Sequence, residues 1–416
     1  MDRREFLKLS SLLLGGLLSQ GFSLNKLGQP DLVNTDTTKI TRARFQDITL
    51  PLLTFGMMRL PANSKHKYGI DEKQVQEMVD YAMAHGANFF DTAYMYMSGN
   101  SEIVTGNVLK KHPRDSYYVS DKLPVKMVNS KTDNEKLFNE QLKKTGFDYF
   151  DFYFAHSLNR DIFENNLKKY DVYEFLQKKK REGKVKYVGF SFHDSPDALE
   201  PMLKAYKWDF AMIQLNYLDW DLIDAKQMYE TVQKYNVPIW VMEPVKGGQL
   251  ASLNPQANKI LSVAKPGTST ASWAIRYAAS FPGVITVLSG MSNMEQLKDN
   301  IKTMTDFKPL SNSERTTLTN AVAAYRASGT IPCTNCKYCT PYCPKKVDIP
   351  NNLVIYNQYL VDKSERVFTR DYKALQAFER ADRCINCKAC LPHCPQKINI
   401  PENLTKVSGL FKQLAK

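Results

Sequence analysis

Two groups of residues in this 416-residue sequence have the types and spacings of chemistry. Cys333, Cys336, Cys339 and Cys343 stand at C-x2-C-x2-C-x3-C with Pro344 after the last, and Cys384, Cys387, Cys390 and Cys394 repeat the run with Pro395. Three thiolates at this spacing wrap one iron–sulfur cubane, and the proline turns the chain away after the last ligand. Four disulfides or paired zinc sites would tolerate looser spacing and would not call for two copies of a four-cysteine run. The spacing therefore predicts two 4Fe-4S clusters held by all eight cysteines. The second group is Asp91, Tyr96, Lys122 and His156. Reducing a carbonyl by hydride leaves negative charge on its oxygen, and a proton must be delivered there. A tyrosine does this poorly at its ordinary pKa of about 10, but a neighbouring ammonium favours the phenolate. Tyr96 is then the acid/base, Lys122 tunes it, Asp91 anchors Lys122, and His156 positions the substrate.

These four residues need elements that bring them to one place. Between Leu50 and Asn300 short β-rich runs alternate with amphipathic stretches. The predicted strands are Leu52–Met57, Asn88–Ala93, Tyr117–Ser120, Tyr149–Ala155, Val185–Phe190, Phe210–Leu215, Pro238–Met242 and Val284–Leu288. Most are near-continuous apolar runs, as strands covered on both faces are. Helices are predicted over Val75–His85 with Asp71 as cap, and over Leu137–Lys144, Tyr173–Arg181, Gln227–Tyr235, Ser272–Ser280, Met294–Thr303 and Ser313–Arg326. Eight strand–helix units over some 260 residues suit an α/β fold of the (β/α)8 barrel kind. An open doubly wound sheet would want a Gly-rich turn of the G-x-G-x-x-G kind, and none occurs. In a barrel the strand ends carry the chemistry. Asp91 and Tyr96 follow the second strand, Lys122 the third and His156 the fourth, so they converge on one mouth.

On these residues the segment from about Leu50 to Asn300 resembles the aldo-keto reductases. The D-T-A-x-x-Y of Asp91 to Tyr96, the S-x-K-L of Ser120–Leu123 and the strand-end His156 carry the likeness. So do Gly189–Phe190–Ser191, Gln214–Leu215–Asn216–Tyr217 and Ser289–Gly290–Met291–Ser292. The resemblance implies that the four are a catalytic tetrad acting on a small carbonyl or alcohol, with NAD(P)(H) as cofactor. It also implies that Ser191 and Gln214 hydrogen-bond the nicotinamide amide. Gly56, Met57, Ser289, Gly290, Met291, Ser292, Gln296 and Asn300 would line the rest of that cofactor's site, the loop after the eighth strand taking the adenosine phosphate end. Phe192 stands where the family has asparagine, and Glu243 where an aromatic stacks on the nicotinamide. Neither Gly290 nor Gln296 is basic, so no preference for NADP is implied.

The cysteine runs resemble those of two-cluster ferredoxins. By that resemblance the fourth cysteine of each run ligates the other cluster, Cys343 the second and Cys394 the first. The repeat extends past the cysteines, with Val347–Asp348–Ile349–Pro350 echoed by Ile398–Asn399–Ile400–Pro401. The 40 residues between the runs read as helix, longer than a compact ferredoxin connector, and resemble the helical two-cluster domains of respiratory and heterodisulfide-type enzymes.

The start, Asp2–Arg3–Arg4–Glu5–Phe6–Leu7–Lys8 before an apolar run to Leu18, resembles a twin-arginine export signal. The apolar run is shorter than the roughly 20 residues that cross a bilayer. Export in the folded state suits a protein whose clusters are installed in the cytosol, and it predicts a periplasmic or extracytoplasmic location, membrane-tethered where the signal stays uncleaved. The expected organisation is a signal over 1–30, a linker over 31–44, the barrel over 45–328 and a mostly helical two-cluster domain over 329–416. Hydrophobic residues at 43% and charged residues at 24% exclude a disordered chain. The net charge of +13 comes with no nucleic-acid motif, so no nucleic-acid partner is expected. The reading that follows is an exported oxidoreductase interconverting a carbonyl and an alcohol. Its clusters would exchange electrons with a redox partner protein or a quinone or flavin mediator. The alternative is an electron-transfer subunit whose barrel is catalytically degenerate.

Overall fold

The computed structural model describes residues 31–34, 36–63, 65–66 and 68–414. The export signal read over 1–30 lies outside them. Among the described residues no helix is long and apolar enough to cross a membrane.

Eight parallel strands close into a barrel in sequence order. Three strands precede it: β1 (Leu32–Val33), β2 (Arg42–Phe45) and β3 (Ile48–Pro51), which form a small antiparallel sheet. The barrel strands are β4 (Leu53–Gly56), β5 (Phe89–Asp91), β6 (Tyr118–Leu123), β7 (Phe150–Leu158), β8 (Val185–Phe192), β9 (Phe210–Gln214), β10 (Ile239–Met242) and β11 (Val284–Gly290). All eight coincide with predicted strands to within a few residues. β6 and β7 run on through Asp121–Lys122 and His156, so polar site residues extend strands that apolar runs alone had ended.

Predicted helices are present as Glu72–Ala84, Lys131–Thr145, Val172–Arg181, Ala225–Lys234, Thr270–Ala279, Met294–Met304 and Asn312–Arg326. Asp71 caps the first, its side chain accepting from Gln74 N. Three further helices, Ser101–Leu109, Pro196–Ala205 and Pro255–Ala264, were not singled out from sequence. Ser101–Leu109 is buried nearly all round and shows no polar face to read. Its Gly106 lies so close to the carbonyl of Thr145 that a Cβ would fall 1.9 Å from that oxygen.

The stretch read as linker has structure at both ends. β1 pairs with β2, Ile40 and Thr41 are buried, and Thr41 N donates to Met304 O. The β2–β3 hairpin plugs the barrel's lower end with Phe45, whose ring meets Tyr187 at 5.1 Å, Phe152 at 5.8 Å and Phe210 at 6.5 Å between centroids. Of the polar side chains that read as linker, only Arg42 and Arg44 belong to the hairpin.

A separate apolar cluster begins at Ile331 and gathers Val347, Ile349, Leu353, Phe368, Tyr372 and Leu404. It is built by the helices Ile349–Asp362 and Glu365–Ala374, which lie between the cysteine runs as predicted, and by Ile400–Leu414. The repeat is a repeat of backbone as well. Asn335 and Asn386, Lys337 and Lys388, and Lys346 and Lys397 all have positive φ, between 51° and 65°. Tyr342 and His393, each preceding a fourth cysteine, stack on one another at 3.3 Å.

Candidate active site and cluster cage

The strand ends bring the four predicted residues together. Asp91 closes β5, directly across from Ser120 of β6. Lys122 donates from Nζ to both carboxylate oxygens of Asp91, at 2.8 and 2.7 Å, and to Thr92 O at 2.6 Å. Ser120 Oγ also donates to Asp91 Oδ1, at 2.6 Å. Lys122 and Asp91 are both buried, so each charge depends on the other. Tyr96 sits on a tight turn in which Met97 and Ser98 have φ of 51° and 58°, a conformation that non-glycine residues hold only where the surroundings require it. The Lys122 ammonium lies 4.7 Å from the Tyr96 ring centre, and the His156 ring meets Tyr96 edge-on at 6.1 Å.

The electrostatics correct one expectation. Burial, then the Asp91, Glu243 and Asp121 carboxylates, push Tyr96 well above its ordinary value. Lys122 does not reverse this because Asp91 neutralises it at contact distance. Tyr96 is therefore held as a neutral phenol. His156 is pushed well below its ordinary value by burial, Lys122 and His193, and so stays neutral.

A cavity of about 310 Å³ collects the tetrad with Gly56, Ser191, Gln214, Ser289, Gly290, Ser292, Gln296 and Asn300. Met57 and Met291 do not line it; both are packed into the barrel core. Several residues of this wall escaped the sequence reading as site residues: Arg59, His193, Thr334, Tyr338 and Gln396. The last three, with Cys336 and Pro395, come from the C-terminal region, which thus roofs the barrel mouth. The repeat sets them apart only once burial is known. Thr334, Tyr338 and Gln396 stand opposite Ile385, Ala389 and Lys345 in the other copy, and all three of those are exposed.

The groups that the resemblance assigns to a nicotinamide are engaged within the chain in this arrangement. Gln214 has its amide paired with Gln396, through Gln214 Nε2 to Gln396 Oε1 at 3.3 Å and Gln396 Nε2 to Gln214 Oε1 at 3.1 Å. Arg59 lies across Gly290, its Cβ 3.1 Å from where a Gly290 side chain would begin, and donates to Thr334 O at 2.8 Å. Asn300 Nδ2 donates to Ser289 Oγ at 3.0 Å, and Ser292 N to Gln296 Oε1 at 2.7 Å.

The clusters do fit. No disulfide joins the eight cysteines. Cys333, Cys336, Cys339 and Cys394 line one cavity. Burial, then the neighbouring thiols of Cys336, Cys333 and Cys394, push Cys339 up to about 12. Burial pushes Cys390 up to about 11, and the thiols beside it are Cys384, Cys343 and Cys387. The eight thus fall into two sets of four that exchange their fourth members between the runs. Thiols crowded in a low-dielectric cage suit a cationic iron–sulfur core, which binds them as thiolates.

A parallel eight-stranded barrel with polar residues gathered at its strand ends, joined to a cysteine-caged helical region, defines an oxidoreductase-type barrel with an iron–sulfur module. Comparison agrees. Residues 52–323 match the aldo/keto reductase family and residues 332–399 a 4Fe-4S dicluster domain. The chain belongs to the aldo/keto reductase family. It is 27% identical over 174 residues to an aldo-keto reductase of Glycine max, covering 38% of this chain and about half (48%) of that relative. It is 23% identical over 298 residues to the NADH-specific methylglyoxal reductase of Escherichia coli K12, covering 61% of this chain and 90% of that one. Among solved structures the fold is shared with the holo form of an aldo-keto reductase from Bacillus halodurans, at TM-score 0.55 and 22% identity over 71% of this chain and 96% of that one. It is shared too with a Klebsiella pneumoniae aldo-keto reductase in complex with NADPH, at TM-score 0.54 and 20% identity over 69% and 95%.

Proposed function

We propose that the protein is an exported oxidoreductase that interconverts a small carbonyl and its alcohol at Tyr96, with two 4Fe-4S clusters linking that site to a redox partner. The observation that carries this is a single cavity whose floor is Asp91, Tyr96, Lys122 and His156 and whose roof includes Cys336. Tyr96 Oη holds the proton that a carbonyl oxygen needs as it becomes an alcohol. The neutral His156 ring orients that oxygen. Lys122 and Asp91 fix the turn around Tyr96 and place a compensated charge beneath its ring. Low solvent access strengthens each of these contacts. In the reverse direction Tyr96 first gives up its proton to solvent, and the carbinol then gives its hydroxyl proton to that phenolate oxygen. The carbon-bound hydrogen and two electrons pass to or from a two-electron carrier, which is a nicotinamide by family resemblance or a flavin or quinone mediator. Cys333, Cys336, Cys339 and Cys394 would hold one cluster, and Cys343, Cys384, Cys387 and Cys390 the other, each supplying one-electron chemistry when bound. The twin-arginine start supports folded export to the periplasm, where the electron partner is a protein or a membrane quinone.

The test is Tyr96→Phe in the anaerobically purified chain. Turnover of a carbonyl or alcohol panel falls by about 10³-fold, the scale of a positioned acid, while dithionite still bleaches the clusters. Turnover unchanged in the variant overturns the role of Tyr96, and no turnover by the wild type while its clusters still bleach leaves an electron-transfer subunit with a degenerate barrel.

A further inference from the structure

The densest polar contact between the barrel and the cluster domain is a buried knot with Gln396 at its centre. Lys246 and Asp219 form an ion pair with no solvent exposure on either side chain. Lys246 Nζ also donates to Gln396 Oε1 at 2.7 Å. Asp219 Oδ2 accepts from Gln214 Nε2 and from Asn216 Nδ2, both at 2.5 Å. Gln396 completes the set by donating its N–H to Gln214 Oε1 and accepting at its carbonyl oxygen from Lys246 and Gln214. Buried polar groups left without partners carry the full cost of their desolvation. A group that replaces Gln396 here must therefore bring the same pair, a carbonyl oxygen for Lys246 and an N–H for Gln214 Oε1. That pair is a primary carboxamide.

Gln396 is no ordinary member of its loop. The other copy of the repeat has Lys345 at this position, exposed, whereas Gln396 is buried and faces the cavity that holds Tyr96. It lies two residues past Cys394, so its place in the knot and the place of that ligand loop are one setting.

We propose that Gln396 is a built-in occupant of a carboxamide-binding subsite beside Tyr96, and that a nicotinamide reaches Gln214 only when the cluster domain withdraws this side chain. The proposal rests on the nicotinamide reading of the family resemblance and adds what that reading lacks, a residue that competes with the cofactor. Docking of the cluster domain and nucleotide binding then oppose one another through the same contacts, as linkage requires.

Calorimetric titration of the anaerobic, cluster-loaded full chain with NADH, with NADPH and with benzamide tests this in wild type, Gln396→Ala and the near-isosteric Gln396→Met. Retention of the clusters' visible absorption shows that each variant is intact, and the methionine variant serves if the alanine variant loses it. The expected result is binding at least about tenfold tighter in the variants for dinucleotide and benzamide alike, with the gain lost when Gln214→Leu is added. Wild type binding a dinucleotide as tightly as both variants overturns the proposal and leaves the nicotinamide reading standing. Benzamide binding gained by the variants, with no dinucleotide bound by any chain, keeps the subsite and removes the nicotinamide reading. No binding of any probe by any chain overturns both.

Discussion

At the scale of single residues the decisive fact is that Asp91 and Thr92 O take all three Lys122 hydrogen bonds that could have served Tyr96. A lysine beside a tyrosine suggests a lowered phenol, but the ammonium here is cancelled at 2.7 Å and the phenol is buried among carboxylates. The sign of the pH dependence follows. A phenol held above its ordinary value keeps its proton through the neutral and mildly alkaline range. Carbonyl reduction should then run flat from about pH 6 to pH 9, since His156 is neutral there as well, and alcohol oxidation should climb with pH across the same range. Initial rates in both directions check this. An alkaline loss of reduction centred near pH 8 would show that Lys122 wins after all. Asp91→Asn should bring the alkaline loss of reduction to lower pH, because it removes a carboxylate that raises Tyr96 and frees the ammonium. The identities of all four residues were legible in their spacing. Their net electrostatics were not, because which of two neighbours claims a lysine is settled by contact distances. Nor was Gln396 legible as a site residue. A glutamine after a Cys-Pro is ordinary until its counterpart, Lys345, is seen to be exposed.

At the scale of elements, apolar runs marked the buried strands and a two-faced pattern marked most of the helices. The eight strands were readable as apolar runs. The helix Ser101–Leu109 was not, since burial on all sides leaves no stripe. The hairpin Arg42–Pro51 was part-hidden for the opposite reason, as polar outer residues masked Phe45 inside. Helix ends were clearer, and one of them makes a stability prediction. Ser311 and Glu314 form a capping box on Asn312–Arg326. The Glu314 carboxylate also takes Arg276 Nη1 at 2.6 Å and Nη2 at 3.1 Å, and Lys265 Nζ at 3.1 Å. Burial opposes its charge, but these donors and the Ser311 N–H outweigh it and hold Glu314 at about 2. A carboxyl lowered on folding contributes stability above its unfolded pKa of about 4.5, and that stability drains away as pH falls toward 2. Glu314→Gln should cost about 2 kcal/mol at pH 7, and the gap to wild type should narrow by pH 3.5. Far-UV circular dichroism melts at the two pH values measure it. An equal gap at both would mean that the carboxylate's charge is not what ties this helix to Thr270–Ala279.

At the scale of the whole molecule the two copies of the cysteine run have divided their labour. The first copy turns Thr334, Cys336 and Tyr338 into the roof of the barrel cavity. The second exposes Ile385 at 57%, with Cys387, Arg383 and Lys388 open beside it. On the proposed function, electrons entering or leaving the barrel have a proximal and a distal station, the distal one at a basic, partly apolar surface suited to an acidic carrier. Sequence order does not sort the cysteines into these stations, because the fourth member of each run lies with the other set. This makes a prediction that chain position alone would get wrong. Serine at Cys394, in the second run, should behave like serine at Cys333. Both empty the proximal station, and substrate can no longer bleach the remaining cluster. Serine at Cys343, in the first run, should behave like serine at Cys384. Both leave substrate-driven bleaching of the proximal cluster and abolish exchange with an external one-electron carrier. Iron content, electron paramagnetic resonance of the reduced protein and stopped-flow bleaching distinguish the two phenotypes. If Cys343→Ser instead resembled Cys333→Ser, each run would hold its own cluster and the exchange of fourth ligands would be wrong. The pairing matters beyond ligation. With one thiolate of the proximal cage two residues before Gln396, and the other three in the run that roofs the cavity, any movement that opens the barrel mouth must also move the cluster nearest the chemistry.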